Sequence, residues 1–137
     1  MSEAVFDTSA VIAFFRGDDR ATALVEHTSR LIVPVAVAAE LMAGCLTSRK
    51  QSSGLREVHA FLRSSRVDVA PATADTAERW AVIRDGLRRA GRQIPINDIW
   101  IAASAMEYGL PVVTNDRHFL ELPQILVTLI DALETDA

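Results

Sequence analysis

Ala4-Val5-Phe6-Asp7-Thr8-Ser9 is the stretch that decides the fold, because a short apolar strand ends there at an aspartate and a helix follows. The apolar run Ala10–Phe15 comes next, with Ser9 as its expected N-cap and Gly17 as its expected C-cap. A strand that is apolar throughout is typical of a parallel sheet covered on both faces. The opening therefore predicts a strand, a turn and a helix of an α/β fold.

Strands and helices alternate along the rest of the chain. Further strands are predicted at residues 31–33, 67–70, 111–114 and 125–127, and helices at residues 20–28, 35–44, 55–62, 74–90 and 98–108. The helix at 35–44 is apolar on nearly every side and is expected to be buried, Arg49–Gly54 is expected to be a loop, and Thr73 is expected to cap the long helix. The pattern predicts a three-layer α/β/α sandwich around a parallel sheet of four to five strands. A length of 137 residues suits one domain, residues 1–137.

Composition excludes several classes of protein. Half of the residues are apolar, which supplies a core and argues against disorder. The single cysteine, Cys45, allows neither an internal disulfide nor a thiolate zinc site, and no apolar run approaches the roughly 20 residues that span a bilayer. His27, His59 and His118 show no ligand spacing, and His118 is expected to be a surface or capping side chain. We expect a soluble, cytoplasmic protein that makes no membrane contact.

The charges are distributed unevenly. The net charge of −4, from 14 basic and 18 acidic residues, argues at first against a nucleic-acid partner. Residues 49–92, however, hold ten of the basic residues and five of the acidic ones, for a net charge of +5, and the remainder carries −9. Arg84, Arg88 and Arg92 recur every four residues, which fits a solvated helix face and a phosphate-binding track about equally. The net charge therefore does not exclude RNA.

Four carboxylates are predicted to converge at one edge of the sheet. Asp7 directly follows the first strand and Asp116 follows the strand at 111–114, and ligands bind outside the carboxyl ends of strands in open parallel sheets. Glu40 lies in an otherwise apolar helix that begins where the second strand ends. Asp98 lies at the start of a helix that must end at the opposite edge of the sheet, because that helix leads into the strand at 111–114. All four side chains are therefore expected at the carboxyl edge.

Such a cluster favours a divalent metal. Four carboxylates cannot all stay ionised together without a cation, and oxygen ligands suit Mg²⁺ or Mn²⁺. Metal-assisted hydrolysis of a phosphodiester is the matching reaction. Taken singly, Asp7 has an ordinary explanation as a cap, Asp98 as a first-turn acid and Asp116 as a turn residue, whereas Glu40 has none. The joint occurrence of the four favours the metal site.

Three other classes remain as alternatives. A phospho-acceptor receiver domain needs a lysine near the end of a late strand, but the only lysine, Lys50, lies in a polar segment in the middle of the chain. A phosphatase with an aspartate nucleophile needs a second aspartate two residues after the first, where this chain has Ser9. A catalytically silent interaction module with the same fold is disfavoured by the complete set of four acids.

Four segments together resemble the PIN-domain ribonucleases, and in particular the VapC toxins of bacterial toxin–antitoxin pairs. The segments are Val5-Phe6-Asp7-Thr8-Ser9, Ala39-Glu40-Leu41, Asn97-Asp98-Ile99-Trp100-Ile101-Ala102-Ala103 and Thr114-Asn115-Asp116-Arg117-His118-Phe119. None is specific alone, but their order and spacing cover nearly the whole chain. The resemblance implies a PIN-like fold and an endoribonuclease.

The resemblance also implies residue roles and partners. It implies that Mg²⁺ or Mn²⁺ is held, and water activated for RNA cleavage, by an acidic quartet: Asp7, Glu40, Asp98 and Asp116. Thr114 would support the site through its hydroxyl group, and Thr8 and Asn115 are further supporting candidates. The expected partners are an RNA substrate, a cognate VapB-type antitoxin that silences the toxin, and a second copy of the chain in a homodimer. The apolar helices near residues 10–15 and 55–62 are candidate docking surfaces for the antitoxin.

Overall fold

Five parallel strands form the centre of the fold, in a computed structural model that describes residues 2–133. Along the chain they are β1 (Glu3–Phe6), β2 (Arg30–Pro34), β3 (Val67–Ala70), β4 (Val112–Thr114) and β5 (Val127–Leu129). Their order in the sheet is β3-β2-β1-β4-β5, and every pairing is parallel. The predicted parallel sheet is confirmed, with five strands, although the last strand lies two residues later than the predicted 125–127.

Six α-helices pack around this sheet. They are α1 (Thr8–Phe15), α2 (Asp19–His27), α3 (Val35–Leu46), α4 (Gln51–Leu62), α5 (Ala74–Arg89) and α6 (Ile96–Tyr108), and 3₁₀ helices follow at Arg117–Glu121 and Ile130–Ala132. Helix α1 packs against β4, α4 against β3, and α6 against β1, β2 and α5. The predicted α/β sandwich is confirmed. In the part of the chain that the structure describes, no helix is long and apolar enough to cross a membrane.

The strands β1 and β4 are buried on both faces, as their apolar sequences predict, whereas β3 and β5 at the edges of the sheet are only partly buried. Ala4, Val5 and Phe6 of β1 are at most 1% exposed, and Val112 and Val113 of β4 are fully buried. Burial of one such aliphatic or aromatic side chain contributes about 1.5–3 kcal/mol. The two central strands are therefore the most firmly held part of the sheet.

The order of the strands reverses between β1 and β4. From β1 the chain adds β2 and β3 on one side, and then crosses through α5 and α6 to add β4 and β5 on the other side. Val5 lies beside Val112 and Phe6 beside Val113, so the residues that follow the two strands are neighbours. Such a reversal opens a crevice at the carboxyl ends of the strands, and Asp7 lies at that point.

The start of α1 differs from the prediction. Asp7 is the N-cap in place of Ser9, and its carboxylate Oδ1 accepts a hydrogen bond of 2.9 Å from the backbone N–H of Ala10. The predicted cap at Ser9 is wrong because the aspartate two residues earlier already bonds to the free N–H groups of the first turn.

The region of α3 and α4 also differs from the prediction. The expected loop at Arg49–Gly54 is wrong beyond Lys50, because α4 begins at Gln51. Gly54 lies where the two helices approach: a Cβ at that position would lie 3.1 Å from the Sγ of Cys45, so a larger residue would require Cys45 to shift by a few tenths of an ångström. The expected all-round burial of α3 is wrong as well, since Val35 and Leu46 are about half exposed.

The long helix α5 begins as predicted. Thr73 is its N-cap, and the backbone N–H of Thr73 donates to the hydroxyl of Thr76 at 3.0 Å. The hydroxyl of Thr76 in turn donates to Glu107 Oε1 at 2.6 Å. This link fastens the start of α5 to the end of α6 and helps to fix the helix that carries Asp98.

Candidate active site

Asp7 is held at the end of β1 by three hydrogen bonds and is 3% exposed. Its Oδ1 accepts from the Ser9 hydroxyl at 2.8 Å and from the Ala10 N–H at 2.9 Å, and its Oδ2 accepts from the Thr114 hydroxyl at 2.5 Å. An ionised carboxylate has about four acceptor positions, so one position on Oδ2 remains for a cation. Burial raises the pKa of Asp7, although the three hydrogen bonds act in the opposite direction.

Thr114 connects the turn after β4 to the turn after β1. Its hydroxyl donates to Asp7 and accepts from the backbone N–H of Asp116 at 2.8 Å. The backbone N–H of Asn115 donates to the Ser9 hydroxyl at 2.9 Å. Ser9 is thus a positioning residue that sequence reasoning treated only as a cap. Its place two residues after Asp7 was the signal that could have indicated this role.

Thr8 and Asn115 make contacts of different kinds. The Thr8 hydroxyl donates to Glu40 Oε1 at 2.8 Å, which ties the first residue of α1 to the acid on α3. The side-chain oxygen of Asn115 accepts from the backbone N–H of Asp131 at 3.1 Å. Thr8 therefore orients a predicted site acid, whereas the Asn115 side chain fixes the segment after β5.

Within residues 2–133, Asp98, Asp116 and His118 form a cluster of potential metal ligands. One ligand atom from each lies within 4.8 Å of the others. The Nδ1 of His118 lies 3.1 Å from Asp116 Oδ1 and 3.7 Å from Asp98 Oδ2. Asp98 lies in the first turn of α6, and Asp116 is the N-cap of the 3₁₀ helix that carries His118. The expected surface position of His118 is confirmed, because its side chain is 52% exposed; the same side chain also contacts Asp116, two residues earlier in a tight turn.

Asp98 carries the clearest mark of a cation site. Among the described residues, its Oδ2 is buried and has no hydrogen-bond partner. Burial, followed by the charges of Asp116, Asp7 and Glu40, raises the pKa of Asp98 to about 7, while His118 acts in the opposite direction. The other three predicted acids therefore lie near enough to Asp98 for their charges to act on it, although among the described residues the tight ligand cluster contains only Asp98 and Asp116 of the four. The donor set, carboxylate oxygens with one imidazole nitrogen nearby, fits a divalent cation.

The predicted stripe of Arg84, Arg88 and Arg92 does not lie on one helix, because α5 ends at Arg89. The arginines of this region are partly paired with acids. Arg88 and Arg89 contact Asp85 at 2.8 and 2.9 Å, and Arg92 contacts Glu121 at 3.5 Å. All of these side chains are well exposed to solvent. Arg84 and Arg92 line a cavity of about 220 Å³ together with residues at the start of α6: Ile94, Ile96 and Ile99. A basic edge therefore adjoins the helix that carries Asp98.

Comparison with known sequences identifies the class of protein that has this fold and this acidic crevice. The family model described as PIN domain matches residues 4–125. The chain belongs to the PIN-domain family.

Within that family the chain is similar to the VapC ribonucleases. It is 34% identical over 118 residues to Ribonuclease VapC5 of Mycobacterium tuberculosis. The aligned residues cover 86% of this chain and 86% of that relative. A solved structure of VapBC-5 from Mycobacterium tuberculosis, a member of the VapBC family of toxin–antitoxin systems, superposes with a TM-score of 0.77 at 30% identity, covering 94% of this chain and 99% of that one. DNA-bound VapBC from Salmonella typhimurium superposes with a TM-score of 0.83 at 26% identity, covering 95% and 99%. The resemblance recognised in the sequence is confirmed.

Asp98→Asn is expected to stabilise the metal-free protein more at pH 8 than at pH 5. The pKa of Asp98 is higher in the folded than in the unfolded protein, so the folded state holds the proton more tightly. The stability that this contributes is complete below the unfolded pKa of about 4 and is lost as the pH rises through about 7. The variant should gain about 1–2 kcal/mol at pH 8, or about 5 °C in Tm. Thermal unfolding in EDTA at the two pH values measures this.

Asp85→Asn is the matched control for this experiment. Its carboxylate is exposed, and hydrogen bonding to Arg88 lowers its pKa, so its removal should give no gain at pH 8. An equal effect of Asp98→Asn at pH 5 and pH 8 would show that electrostatic repulsion at Asp98 is not the cause.

Proposed function

We propose that this chain is an endoribonuclease toxin that hydrolyses RNA phosphodiester bonds with Mg²⁺ or Mn²⁺ held by Asp7, Glu40, Asp98 and Asp116. One observation carries the proposal: Asp98 Oδ2 is buried without a hydrogen-bond partner among the described residues, next to carboxylates whose charges raise its pKa. A divalent cation would neutralise this repulsion. The relatives named Ribonuclease VapC support RNA as the substrate.

Each of the four acids would have its own role in holding the cation. Asp98 and Asp116 would hold the cation from two sides of the crevice, and Asp7 would bind it through the free position on Oδ2. Glu40, oriented by Thr8 at 2.8 Å, would complete the set or orient water. When bound, a divalent cation lowers the pKa of the attacking water and stabilises the charge that develops on the phosphate.

Preorganisation of these groups supports catalysis over a silent binding role. Asp7 has three fixed hydrogen bonds and Asp116 is tied through its backbone to Thr114, so little rearrangement is needed before the reaction. The receiver-domain alternative gains no support, because Lys50 lies at the N-cap of α4 and not after a late strand. Access to RNA also fits the cytoplasmic location expected from the sequence.

RNA cleavage by the purified chain is expected with Mn²⁺ or Mg²⁺ and not with EDTA. Asp7→Asn and Asp98→Asn should each lower kcat/KM by at least about 100-fold, because each removes a negative charge from the cation site. Gel-based cleavage of a single-stranded RNA by protein freed of antitoxin measures this. Glu78→Gln, an exposed acid on α5, should retain full activity. Cleavage that survives the chelator, or that survives Asp98→Asn, would contradict the proposal.

We propose that the antitoxin docks on an aromatic groove between α1 and α4. The rings of Phe14, Phe15 and Phe61 pack with centroids 5.5–6.0 Å apart. They line a cavity of about 360 Å³ whose other walls are Val25, Leu31, Glu57, Ser64, Arg66 and Val67. These are the two helices expected from the sequence to dock an antitoxin. The solved structures of VapBC complexes support a partner of this kind.

Phe61→Ala is expected to leave RNA cleavage intact and to weaken inhibition by the cognate antitoxin about 30-fold. Aromatic side chains in desolvated pockets are frequent centres of binding energy, each worth about 2 kcal/mol or more. Inhibition of cleavage, titrated with the purified antitoxin, measures the effect. Leu126→Ala removes an apolar side chain that is 75% exposed at another site and should not change inhibition. Unchanged inhibition of Phe61→Ala would place the antitoxin elsewhere.

We propose that a second copy of the chain covers the apolar surface beside α3. A cavity of about 250 Å³ there is lined by Pro34, Val35, Ala36, Ala39, Ala70, Ala72, Trp100 and Ser104. The rings of Trp80 and Trp100 pack with centroids 5.7 Å apart, and Val35 is 46% exposed. Such an apolar surface supports a homodimer.

Val35→Asp is expected to convert the dimer to a monomer at micromolar concentration. The charge would have to be buried in an apolar contact without a partner, which costs several kcal/mol. Sedimentation equilibrium of the wild type and of the variant measures the effect, with Leu126→Asp as the control on another exposed apolar residue. A wild-type monomer, or a variant that remains dimeric, would contradict this assignment.

A further inference from the structure

His118 lies in the acidic crevice, and the quartet of carboxylates gives it no role. Its side chain is 52% exposed, and its Nδ1 points between two acids, 3.1 Å from Asp116 Oδ1 and 3.7 Å from Asp98 Oδ2. The backbone N–H of His118 also donates to Asp116 Oδ1 at 2.9 Å. The next residue, Phe119, is fully buried, so the short helix that carries the imidazole is anchored in the core.

We propose that His118 Nδ1 is a ligand of the divalent cation, so that the centre is a mixed oxygen–nitrogen site that favours Mn²⁺ over Mg²⁺. This inference rests on the proposed function, because it concerns the same cation. It adds a ligand to the quartet and chooses between the two metals.

The geometry fits a ligand better than a simple counter-ion. An imidazole that only balanced the charge of Asp98 would donate a hydrogen bond to its buried oxygen, yet Asp98 Oδ2 has no hydrogen-bond partner among the described residues. Instead, the nitrogen and both oxygens lie within 4.8 Å of one another. Neighbouring ligand atoms of an octahedral cation are about 3 Å apart when each bond is about 2.1 Å, which is close to the separation of His118 Nδ1 and Asp116 Oδ1. A single cation can therefore contact all three atoms after small side-chain movements.

The nitrogen ligand would determine the choice of metal. Mg²⁺ binds oxygen ligands and retains its waters, whereas imidazole suits transition metals, and affinity for nitrogen rises from Mn²⁺ along the first row. The carboxylate oxygens are suitable ligands for both Mg²⁺ and Mn²⁺. Removal of the imidazole should therefore lower the affinity for Mn²⁺ more than the affinity for Mg²⁺.

Electron spin-echo spectroscopy of the Mn²⁺-loaded protein tests the bond directly. The chain is expressed with ¹⁵N-labelled histidine, without a histidine tag, and with the substitutions His27→Gln and His59→Gln, so that His118 is its only histidine. A ¹⁵N hyperfine coupling to Mn²⁺ is expected, and it should vanish when His118→Ala is added. The double substitution itself should leave Mn²⁺ binding unchanged.

Titration calorimetry tests the selectivity. His118→Ala should raise the Kd for Mn²⁺ about tenfold and the Kd for Mg²⁺ less than about threefold. His118→Asp replaces the nitrogen by an oxygen, and it should bind Mg²⁺ at least as well as the wild type while losing the preference for Mn²⁺. His59→Gln, an exposed residue of α4, is the control and should change neither value.

The possible results separate this inference from the proposed function. Mn²⁺ binding that is lost in Asp98→Asn but shows no histidine coupling would overturn the ligand role of His118 and leave the metal-dependent nuclease standing. Equal loss of Mn²⁺ and Mg²⁺ affinity in His118→Ala would likewise reduce His118 to a positioning residue. A wild-type protein that binds neither metal and cleaves RNA in EDTA would overturn both.

Discussion

The hydrogen bond from the Thr114 hydroxyl to Asp7 Oδ2 is the contact on which the arrangement of the site depends. It joins the carboxyl ends of β1 and β4, the two strands between which the strand order reverses. The same hydroxyl accepts the backbone N–H of Asp116, so one side chain sets the positions of two acids. This contact is possible because the parallel register places Phe6 beside Val113. The pairing of the two strands thus fixes the chemistry at their ends.

The acidic crevice has a cost that the rest of the fold must offset. Asp7 is buried, and Asp98 is partly buried among three like charges, which raises the pKa of both. Helix α6 holds Asp98 there because Ile99, Ile101 and Ala102 are almost fully buried against the sheet. Each aliphatic side chain of that kind contributes about 1.5–3 kcal/mol, which offsets part of the cost of burying Asp98 among like charges. Local destabilisation at a functional site, supported by a firm core, is common in enzymes.

The sequence predicted the elements of the fold and the convergence of the acids, because both follow from short-range patterns and one topological rule. Apolar strands predict a parallel sheet, and aspartates at strand ends then meet at one edge. The contacts of Ser9 with Thr114 and Asn115, and of His118 with Asp98, were not predicted because they join segments that are distant in sequence. The early start of α4 was missed for a similar reason: Gly54 approaches Cys45 on another helix.

The distribution of charge gives the proposed reaction an order. A crevice lined by carboxylates repels a phosphate backbone, so the cation must bind before RNA can approach the acids. Arg88 on α5 and Arg92 just after it are paired with Asp85 and Glu121. Exposed ion pairs of this kind are worth only about 0–1 kcal/mol, so an RNA phosphate can replace the carboxylate at little cost. A net charge of −4 is therefore compatible with the proposed RNA substrate, provided that metal neutralises the acids.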